Sequence, residues 1–162
     1  MEGTTQRKIV VAVDEGAESM NALSWSLANL FPSGSDNTLI LLYVKPPPPP
    51  YSSLDATGYM ISGNMMEAVE KYGSELVESV MARAQAVCRK FTSHILVQRV
   101  VGRGDAKEVI CNTVEKLRAD TLVMGSHGYG FFKRALLGSV SEYCAKRARC
   151  PVIIVKNHPQ MN

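Results

Sequence analysis

The chain has 162 residues, of which 46% are hydrophobic and 20% are charged, and its formal net charge is +3. A chain of this length folds as about one domain, and folding buries roughly 70% of the surface of the unfolded chain. The small net charge argues against a nucleic-acid partner, no apolar run reaches the roughly 20 residues that span a bilayer, and the N-terminus lacks a signal-peptide pattern. We therefore expect one cytoplasmic domain over residues 1–162, with neither nucleic acid nor membrane as a partner.

Apolar runs alternate along the first half of the chain with stretches at helical spacing. Ile9–Val13 has no polar residue, which is typical of a strand buried on both faces. Apolar residues then recur at helical spacing from Met20 to Phe31, and Pro32 ends this first helix. Thr38–Val44 predicts a second buried strand, and a long helical stripe runs from Val69 to Phe91.

The same alternation continues in the second half. Ile95–Val101 predicts a third strand, and Gly102–Asp105 a turn whose last residue is a suitable N-cap for the next helix. Thr121–Met124 predicts a fourth strand, residues 139–149 a fourth helix, and Val152–Val155 a fifth strand. This β-α-β-α-β-α-β-α-β order predicts an α/β fold with a single parallel five-stranded sheet, strand order 3-2-1-4-5, and helices on both faces.

One segment breaks the regularity. Lys45 is followed by Pro46–Pro50, so we expect a proline-rich loop insertion at about residues 45–63. Five prolines favour a polyproline II rod that rises about 3.1 Å per residue. Such a rod could dock into an aromatic-lined groove of a partner. Only one basic residue accompanies the prolines, which favours the other interpretation, a stiff exit from the second strand into a surface loop.

The most informative segment lies between the fourth strand and the fourth helix. Met124–Ser141 reads MGSHGYGFFKRALLGSVS and includes Gly125, Gly128 and Gly138. Glycines let backbone amides approach an anion, and the first turn of a helix offers N–H groups and the positive end of its dipole. The segment therefore predicts a phosphate-binding loop.

The start of the fourth helix carries a second signal. Ser139 to Glu142 fits the capping box S-x-x-E, with Ser139 as N-cap and Glu142 at the third helical position. The first amides of the helix and the hydroxyls of Ser139 and Ser141 would then face phosphate oxygens. The alternative is that Ser139 only caps the helix and the glycines only turn the chain.

The predicted topology brings this loop to another polar stretch. In strand order 3-2-1-4-5 a ligand crevice opens beyond the carboxyl ends of strands 1 and 4. Asp14–Gly16 follow strand 1, and Gly125–Gly128 follow strand 4. Asp14 would either hydrogen-bond a ribose or an adenine edge, or cap the first helix. The chain contains neither G-x-x-x-x-G-K-[ST] nor a G-x-G-x-x-G after strand 1, so it lacks the P-loop and the dinucleotide fingerprint.

The spacing Gly125-x2-Gly128-x9-Gly138-Ser139 resembles the ATP-binding branch of the universal stress protein family. Further landmarks look like this family, especially its plant members: Asp14, Ser19-x-x-Ala22-Leu23-x-Trp25, Gly102-x-Gly104-Asp105, and the run from Cys150 to Val155. Gly16 stands where many members carry a serine, and the proline-rich loop is peculiar to this chain.

The resemblance implies a Rossmann-like or flavodoxin-like universal stress protein domain that binds ATP or AMP, with Mg²⁺ accompanying ATP. The nucleotide-contacting residues that it implies are Ala12, Val13, Asp14, Val44, Met124, Gly125, His127, Gly128, Gly138, Ser139, Val140 and Ser141. It also implies a homodimer formed through the last strand, Val152–Val155, and an apolar edge strand of this kind needs a partner.

The implied function is that of a nucleotide-dependent sensor or regulator in a stress response, not an enzyme. The loop contains no evident catalytic base, because a lone histidine such as His127 is more often a hydrogen-bonding partner. No catalytic residue and no metal ligand set is therefore predicted. Two alternatives stay open. One is a weak ATPase in which Asp14 ligates magnesium and His127 orients water, and the other is a chaperone-like partner-binding module.

Overall fold

The computed structural model describes residues 5–47, 63–91, 94–127 and 137–157. Strands and helices alternate along these ranges as the sequence predicts. The strands are β1 (Lys8–Ala12), β2 (Thr38–Lys45), β3 (Leu96–Arg103), β4 (Thr121–Gly125) and β5 (Val152–Val155). The helices are α1 (Ala17–Asn29), α2 (Gly63–Arg89), α3 (Ala106–Lys116) and α4 (Ser139–Arg147).

The strands form one parallel sheet in the order β3-β2-β1-β4-β5, which confirms the predicted fold class. Val10 in the middle of β1 is paired with Ile40 on one side and with Leu122 on the other. β2 and β3 are added on one side of β1, and β4 and β5 on the other. The carboxyl ends of β1 and β4 therefore lie side by side, and none of the described helices crosses between them.

The core lies on both faces of the sheet. Adjacent residues Val10 and Val11 are both fully buried, as expected for a central strand covered by helices on both sides. One face packs against α1 and α2, with Leu23 and Met81 in its core. The other packs against α3 and α4, with Ile110 in its core.

Each strand before β5 differs by one or two residues at its ends from the sequence-based prediction, and the end of β3 differs most. Gly102 and Arg103 belong to β3 and not to a turn, because β2 continues through Lys45 and pairs with them. The turn is therefore confined to Gly104, whose φ of +134° favours glycine, and to Asp105. Asp105 is the N-cap of α3, as predicted, and its side chain accepts the N–H of Lys107 at 3.3 Å.

The fourth helix is shorter than predicted. It ends at Arg147 instead of residue 149, because Ala148 has an extended ψ of 141° that leads the chain towards β5. The proline-rich insertion predicted at about residues 45–63 falls between Lys45, the last residue of β2, and Gly63, the first of α2. Residues 48–62 lie outside the described residues, so both interpretations of the prolines stay predictions. Among the described helices, none is long and apolar enough to span a membrane.

Candidate functional site

A pocket opens at the carboxyl ends of β1 and β4, where the topology places the crevice. Many of the residues predicted for the nucleotide site line its wall: Ala12, Val13, Asp14, Val44, Met124, Gly125, His127, Val140 and Ser141. They come from β1, β2, β4 and α4 and from the segments that follow β1 and β4. The structure therefore brings together side chains that are more than a hundred positions apart in the sequence.

Four further residues line the pocket that were not predicted: Ser19, Leu42, Ala106 and Ile110. Leu42 lies two positions before Val44 on β2, so both side chains point to the same face of the sheet. Ala106 and Ile110 are four positions apart on α3 and share one side of that helix. These periodicities were visible in the sequence, but only the packing of α3 against this face directs them into the pocket.

Three predicted residues are not among the described residues that line the pocket: Gly128, Gly138 and Ser139. Gly138 and Ser139 precede the pocket-lining residues of α4 without lining the pocket themselves. Gly128 lies outside the described residues. The backbone N–H of Gly138 donates to the carbonyl oxygen of Ser126 at 2.7 Å. This amide is therefore bonded within the protein, next to the pocket.

The predicted capping box is wrong. Gly138 is the N-cap of α4, and Ser139 is its first helical residue, without a side-chain capping bond at the N-cap. The N–H of Glu142 donates to the Gly138 carbonyl at 3.0 Å, while its carboxylate accepts from Lys146 at 2.9 Å. Gly138 has the extended backbone of an N-cap, so Ser139 lies inside the helix. A capping box requires the serine itself at the N-cap, so Ser139 and Glu142 do not form one.

Ser141 is buried where α4 meets the pocket. Its hydroxyl donates to the Ser126 carbonyl at 2.8 Å and lies 3.0 Å from the Gly138 carbonyl. One hydroxyl carries one hydrogen, so that hydrogen is engaged within the loop. The backbone N–H groups of Ser139, Val140 and Ser141 are the first-turn amides, which have no acceptor inside the helix.

Asp14 follows β1 and lies half-buried in the wall of the pocket. Its Oδ1 accepts the N–H of Gly16 at 2.8 Å, and its own N–H donates to the Ser19 hydroxyl at 3.0 Å. The N-cap of α1 is Gly16, without a side-chain capping bond, so the interpretation of Asp14 as a helix cap is wrong. The carboxylate instead shapes the turn between β1 and α1.

A tyrosine on β2 fixes the residue after Asp14. The Tyr43 hydroxyl donates to Oε1 of Glu15 at 2.6 Å, and Arg83 of α2 donates to the Glu15 carbonyl at 2.8 Å. Burial, followed by the hydrogen bond to Glu15, raises the pKa of Tyr43 above its ordinary value, so the phenol stays protonated and remains a donor. The β1–α1 turn is therefore held from β2 and from α2.

The segment after β4 is held by a glutamate that the sequence did not single out. Glu18, in the first turn of α1, accepts through Oε2 from the Ser126 hydroxyl and from the His127 N–H, each at 2.9 Å. Gly125 permits this approach, because a Cβ there would lie 3.1 Å from the carbonyl carbon of Glu18. An acidic residue in a first helical turn ordinarily indicates only a favourable dipole interaction, so no sequence signal pointed to this contact.

Metal-ligating residues are not gathered in the described ranges. There, no group of three or more histidines, cysteines, aspartates and glutamates is placed to hold a metal ion.

With the crevice and its loops established, comparison with known proteins defines the family. A model of the universal stress protein family matches residues 5–156. The chain belongs to the universal stress protein family. It is 27% identical over 171 residues to a universal stress protein A-like protein of Arabidopsis thaliana, an alignment that covers 96% of this chain and 93% of that protein. It is 28% identical to the Arabidopsis universal stress protein PHOS34 but spans only 62% of that relative's length.

Solved structures share this fold. UspA from Lactobacillus plantarum superposes with a TM-score of 0.67 at 21% identity, covering 94% of this chain and 99% of that one. A universal stress protein from Arabidopsis thaliana, solved with AMP bound, superposes with a TM-score of 0.61 at 25% identity, covering 96% of this chain and 94% of that one.

Proposed function

We propose that this protein binds an adenine nucleotide, ATP or AMP, in the pocket at the ends of β1 and β4, and acts as a nucleotide-dependent sensor or regulator. The observation that carries this proposal is the division of one crevice into an apolar part and a polar part. Leu42, Val44, Ala106 and Ile110 form an apolar wall suited to a purine ring. Asp14 and His127 line the same crevice.

The polar part suits a sugar and a phosphate. The first-turn amides of α4 and the positive end of its dipole favour an anion beside Val140 and Ser141, which line the pocket. The bond between Gly138 and Ser126 keeps this helix start next to the end of β4. Asp14 lies after β1 on the neighbouring wall, where a carboxylate can accept hydrogen bonds from ribose hydroxyls.

The related Arabidopsis protein with AMP bound supports the choice of an adenine nucleotide over other phosphorylated ligands. Its fold covers 96% of this chain with a TM-score of 0.61, which supports a nucleotide site in the same part of the fold. With ATP, Mg²⁺ would accompany the phosphates, and Asp14 is the carboxylate of the pocket wall that could contact it.

We further propose that holding the nucleotide, not hydrolysing it, is the activity of the site. The Ser141 hydroxyl donates to the Ser126 carbonyl, and Oδ1 of Asp14 accepts from Gly16, so both groups shape the loops. His127 supplies the imidazole of the pocket wall, and histidine is the side chain that most often serves as a general acid or base. A hydrolytic reaction would have to depend on it.

The assembly that we propose is a cytoplasmic homodimer joined through β5. This strand lies at the edge of the sheet, and Val152, Ile153 and Ile154 are only half-buried within one chain. Edge strands with apolar side chains are stabilised when a second strand pairs with them.

Mass spectrometry of the freshly purified, then denatured protein tests the proposal without assuming which nucleotide binds. Released ATP or AMP in near-stoichiometric amount would support it. The purified protein is then loaded with ATP, and phosphate release is followed in a single turnover. We expect no release faster than that of free ATP. Release that disappears in His127→Ala while ATP binding persists would overturn the non-enzymatic proposal.

A further inference from the structure

The carboxylate of Glu18 lies behind the segment that follows β4, on the side of α1. Its Oε2 accepts two consecutive donors, the Ser126 hydroxyl and the His127 N–H, each at 2.9 Å. Glu18 does not line the pocket, whereas His127 does. A side chain outside the pocket thus holds the backbone of a residue that forms its wall.

Ser126 is held from both sides. On the α1 side, its hydroxyl donates to Glu18. On the α4 side, its carbonyl accepts from the Gly138 N–H at 2.7 Å and from the Ser141 hydroxyl at 2.8 Å. Its own N–H donates to the Val155 carbonyl at 3.2 Å. The same oxygen of Glu18 also accepts from the next residue, His127.

We propose that Glu18 is a positioning residue of the nucleotide site: its carboxylate oxygen fixes Ser126 and His127 where the phosphate-binding loop leaves β4. The consequence for binding rests on the proposed function. Because Ser126 and His127 are held in place before the ligand arrives, less conformational entropy of these two residues is lost on binding. The effect is confined to ligands that carry a phosphate, because the apolar wall that would hold the base comes from β2 and α3.

Two substitutions of Glu18 separate its role as a hydrogen-bond acceptor from the role of its negative charge. In Glu18→Gln the side-chain oxygen can still accept both hydrogen bonds, whereas Glu18→Ala removes the acceptor. Glu108→Ala is the matched control, because Glu108 is likewise the acid of a first helical turn, that of α3, but its side chain is exposed. The control removes the corresponding dipole interaction of α3, while the bonds from Ser126 and His127 to Glu18 remain.

The first measurement needs no nucleotide. Amide hydrogen exchange of His127 is followed by NMR in the free, full-length protein and its three variants. We expect the His127 amide to be protected in the wild type, in Glu18→Gln and in Glu108→Ala. In Glu18→Ala it should exchange at least about tenfold faster, because the His127 N–H loses its hydrogen bond to the carboxylate. Equal exchange in Glu18→Ala and the wild type would overturn the proposal.

The second measurement is calorimetric titration with adenosine, AMP and ATP. We expect Glu18→Ala to bind AMP and ATP about tenfold more weakly, Glu18→Gln to stay within about threefold of the wild type, and adenosine to bind all variants equally. An equal loss for adenosine would indicate general destabilisation, and tighter ATP binding by Glu18→Gln would indicate repulsion by the charge. Either result overturns the positioning role.

The two measurements also distinguish this inference from the proposed function. If the wild type binds none of the three ligands, the proposed function fails and the role of Glu18 in binding fails with it. The exchange rates would still decide, in the same proteins, whether Glu18 fixes His127.

Discussion

The N–H of Gly138 donates to the carbonyl oxygen of Ser126 at 2.7 Å, joining the residue after β4 to the N-cap of α4. The Ser141 hydroxyl, one turn into the helix, donates to the same carbonyl. These bonds keep the first-turn amides of α4 beside the end of β4, so contacts within the protein hold the wall of the proposed nucleotide site in place.

Ser141→Ala should destabilise the protein, because it removes a buried donor from this junction. We expect the free energy of unfolding to fall by about 1 kcal/mol, the typical net value of one hydrogen bond. Ser139→Ala is the matched control: Ser139 is exposed at the first position of α4, so its removal should change stability by less than about 0.5 kcal/mol. Urea unfolding followed by circular dichroism measures both. An equal loss in the two variants would contradict the described helix start.

Gly125 is required by the close approach of α1 to β4. In Gly125→Ala the new Cβ would lie 3.1 Å from both the carbonyl carbon and the Cβ of Glu18, so the first turn of α1 must move away by a few tenths of an ångström. We expect a loss of about 1–3 kcal/mol in the free energy of unfolding, as is usual for overpacking.

Gly73→Ala is the control for this substitution. Gly73 lies inside α2, and a Cβ there would meet no atom within 4 Å. The change should therefore stabilise the protein by about 0.5–1 kcal/mol through helix propensity. Thermal unfolding of both variants provides the comparison, and a stable Gly125→Ala protein would refute the crowding at Glu18.

The sequence predicted the fold because strand and helix periodicities depend on local residues. The continuous apolar run of β1 and the helical spacing from Met20 to Phe31 in and after α1 can be recognised from those residues alone. Once the strand order followed, it also placed Asp14 and His127 in the same crevice.

The contacts that support the site could not be predicted in this way. Glu18 and Ser126 are 108 positions apart, and their bond depends on how closely α1 packs against β4. The capping box failed for the opposite reason: S-x-x-E is a local pattern, but the N-cap is decided by the backbone of Gly138, which bonds across the loop to Ser126.

Alkaline pH should destabilise the protein through its buried thiols. Burial is the main cause that raises the pKa of Cys144 to about 12 from an ordinary value of 9.0, and the nearby Cys111 thiol, 3.8 Å away, adds to it. A thiol whose pKa is raised in the folded state contributes stability that is fully present below its unfolded-state pKa. This contribution is lost as the pH rises through the folded-state pKa. The free energy of unfolding should therefore fall above pH 9. Burial raises the pKa of Cys88 and Cys150 in the same direction.

Cys144→Ala measures how much of this alkaline loss of stability is due to the Cys144 thiol. Denaturant unfolding above and below pH 9 should show a shallower loss of stability with pH in the variant than in the wild type. The same slope in both proteins would mean that Cys144 does not stay neutral in the folded state.

The dimer interface can be tested at the backbone of β5. The Pro151 and Val155 carbonyls accept hydrogen bonds from Leu122 and Ser126, so alternate residues of β5 face β4 and Ile154 directs its N–H to the open edge. Ile154→Pro removes an outward donor and leaves the bonds to β4 in place. We expect sedimentation velocity to give a dimer for the wild type and for Ile154→Val, but a monomer for Ile154→Pro. A dimeric Ile154→Pro protein, or a monomeric wild type, would contradict pairing through β5.

Nucleotide binding itself can be blocked from inside the pocket. Ala106 and Ala17 are the first residues of α3 and α1, but only Ala106 lines the pocket, whereas Ala17 is exposed. In Ala106→Trp the indole would fill the space beside the apolar wall of the pocket. Ala17→Trp adds the same bulk at the start of α1, outside the pocket.

Calorimetric titration of the wild type with ATP and AMP tests the central claim most directly, with Ala106→Trp and Ala17→Trp as the paired variants. We expect saturable binding of at least one nucleotide by the wild type and by Ala17→Trp, and an affinity at least about tenfold weaker in Ala106→Trp, which corresponds to about 1.4 kcal/mol. Absence of binding by the wild type at millimolar nucleotide, or undiminished binding by Ala106→Trp, would contradict the claim that this crevice holds an adenine nucleotide.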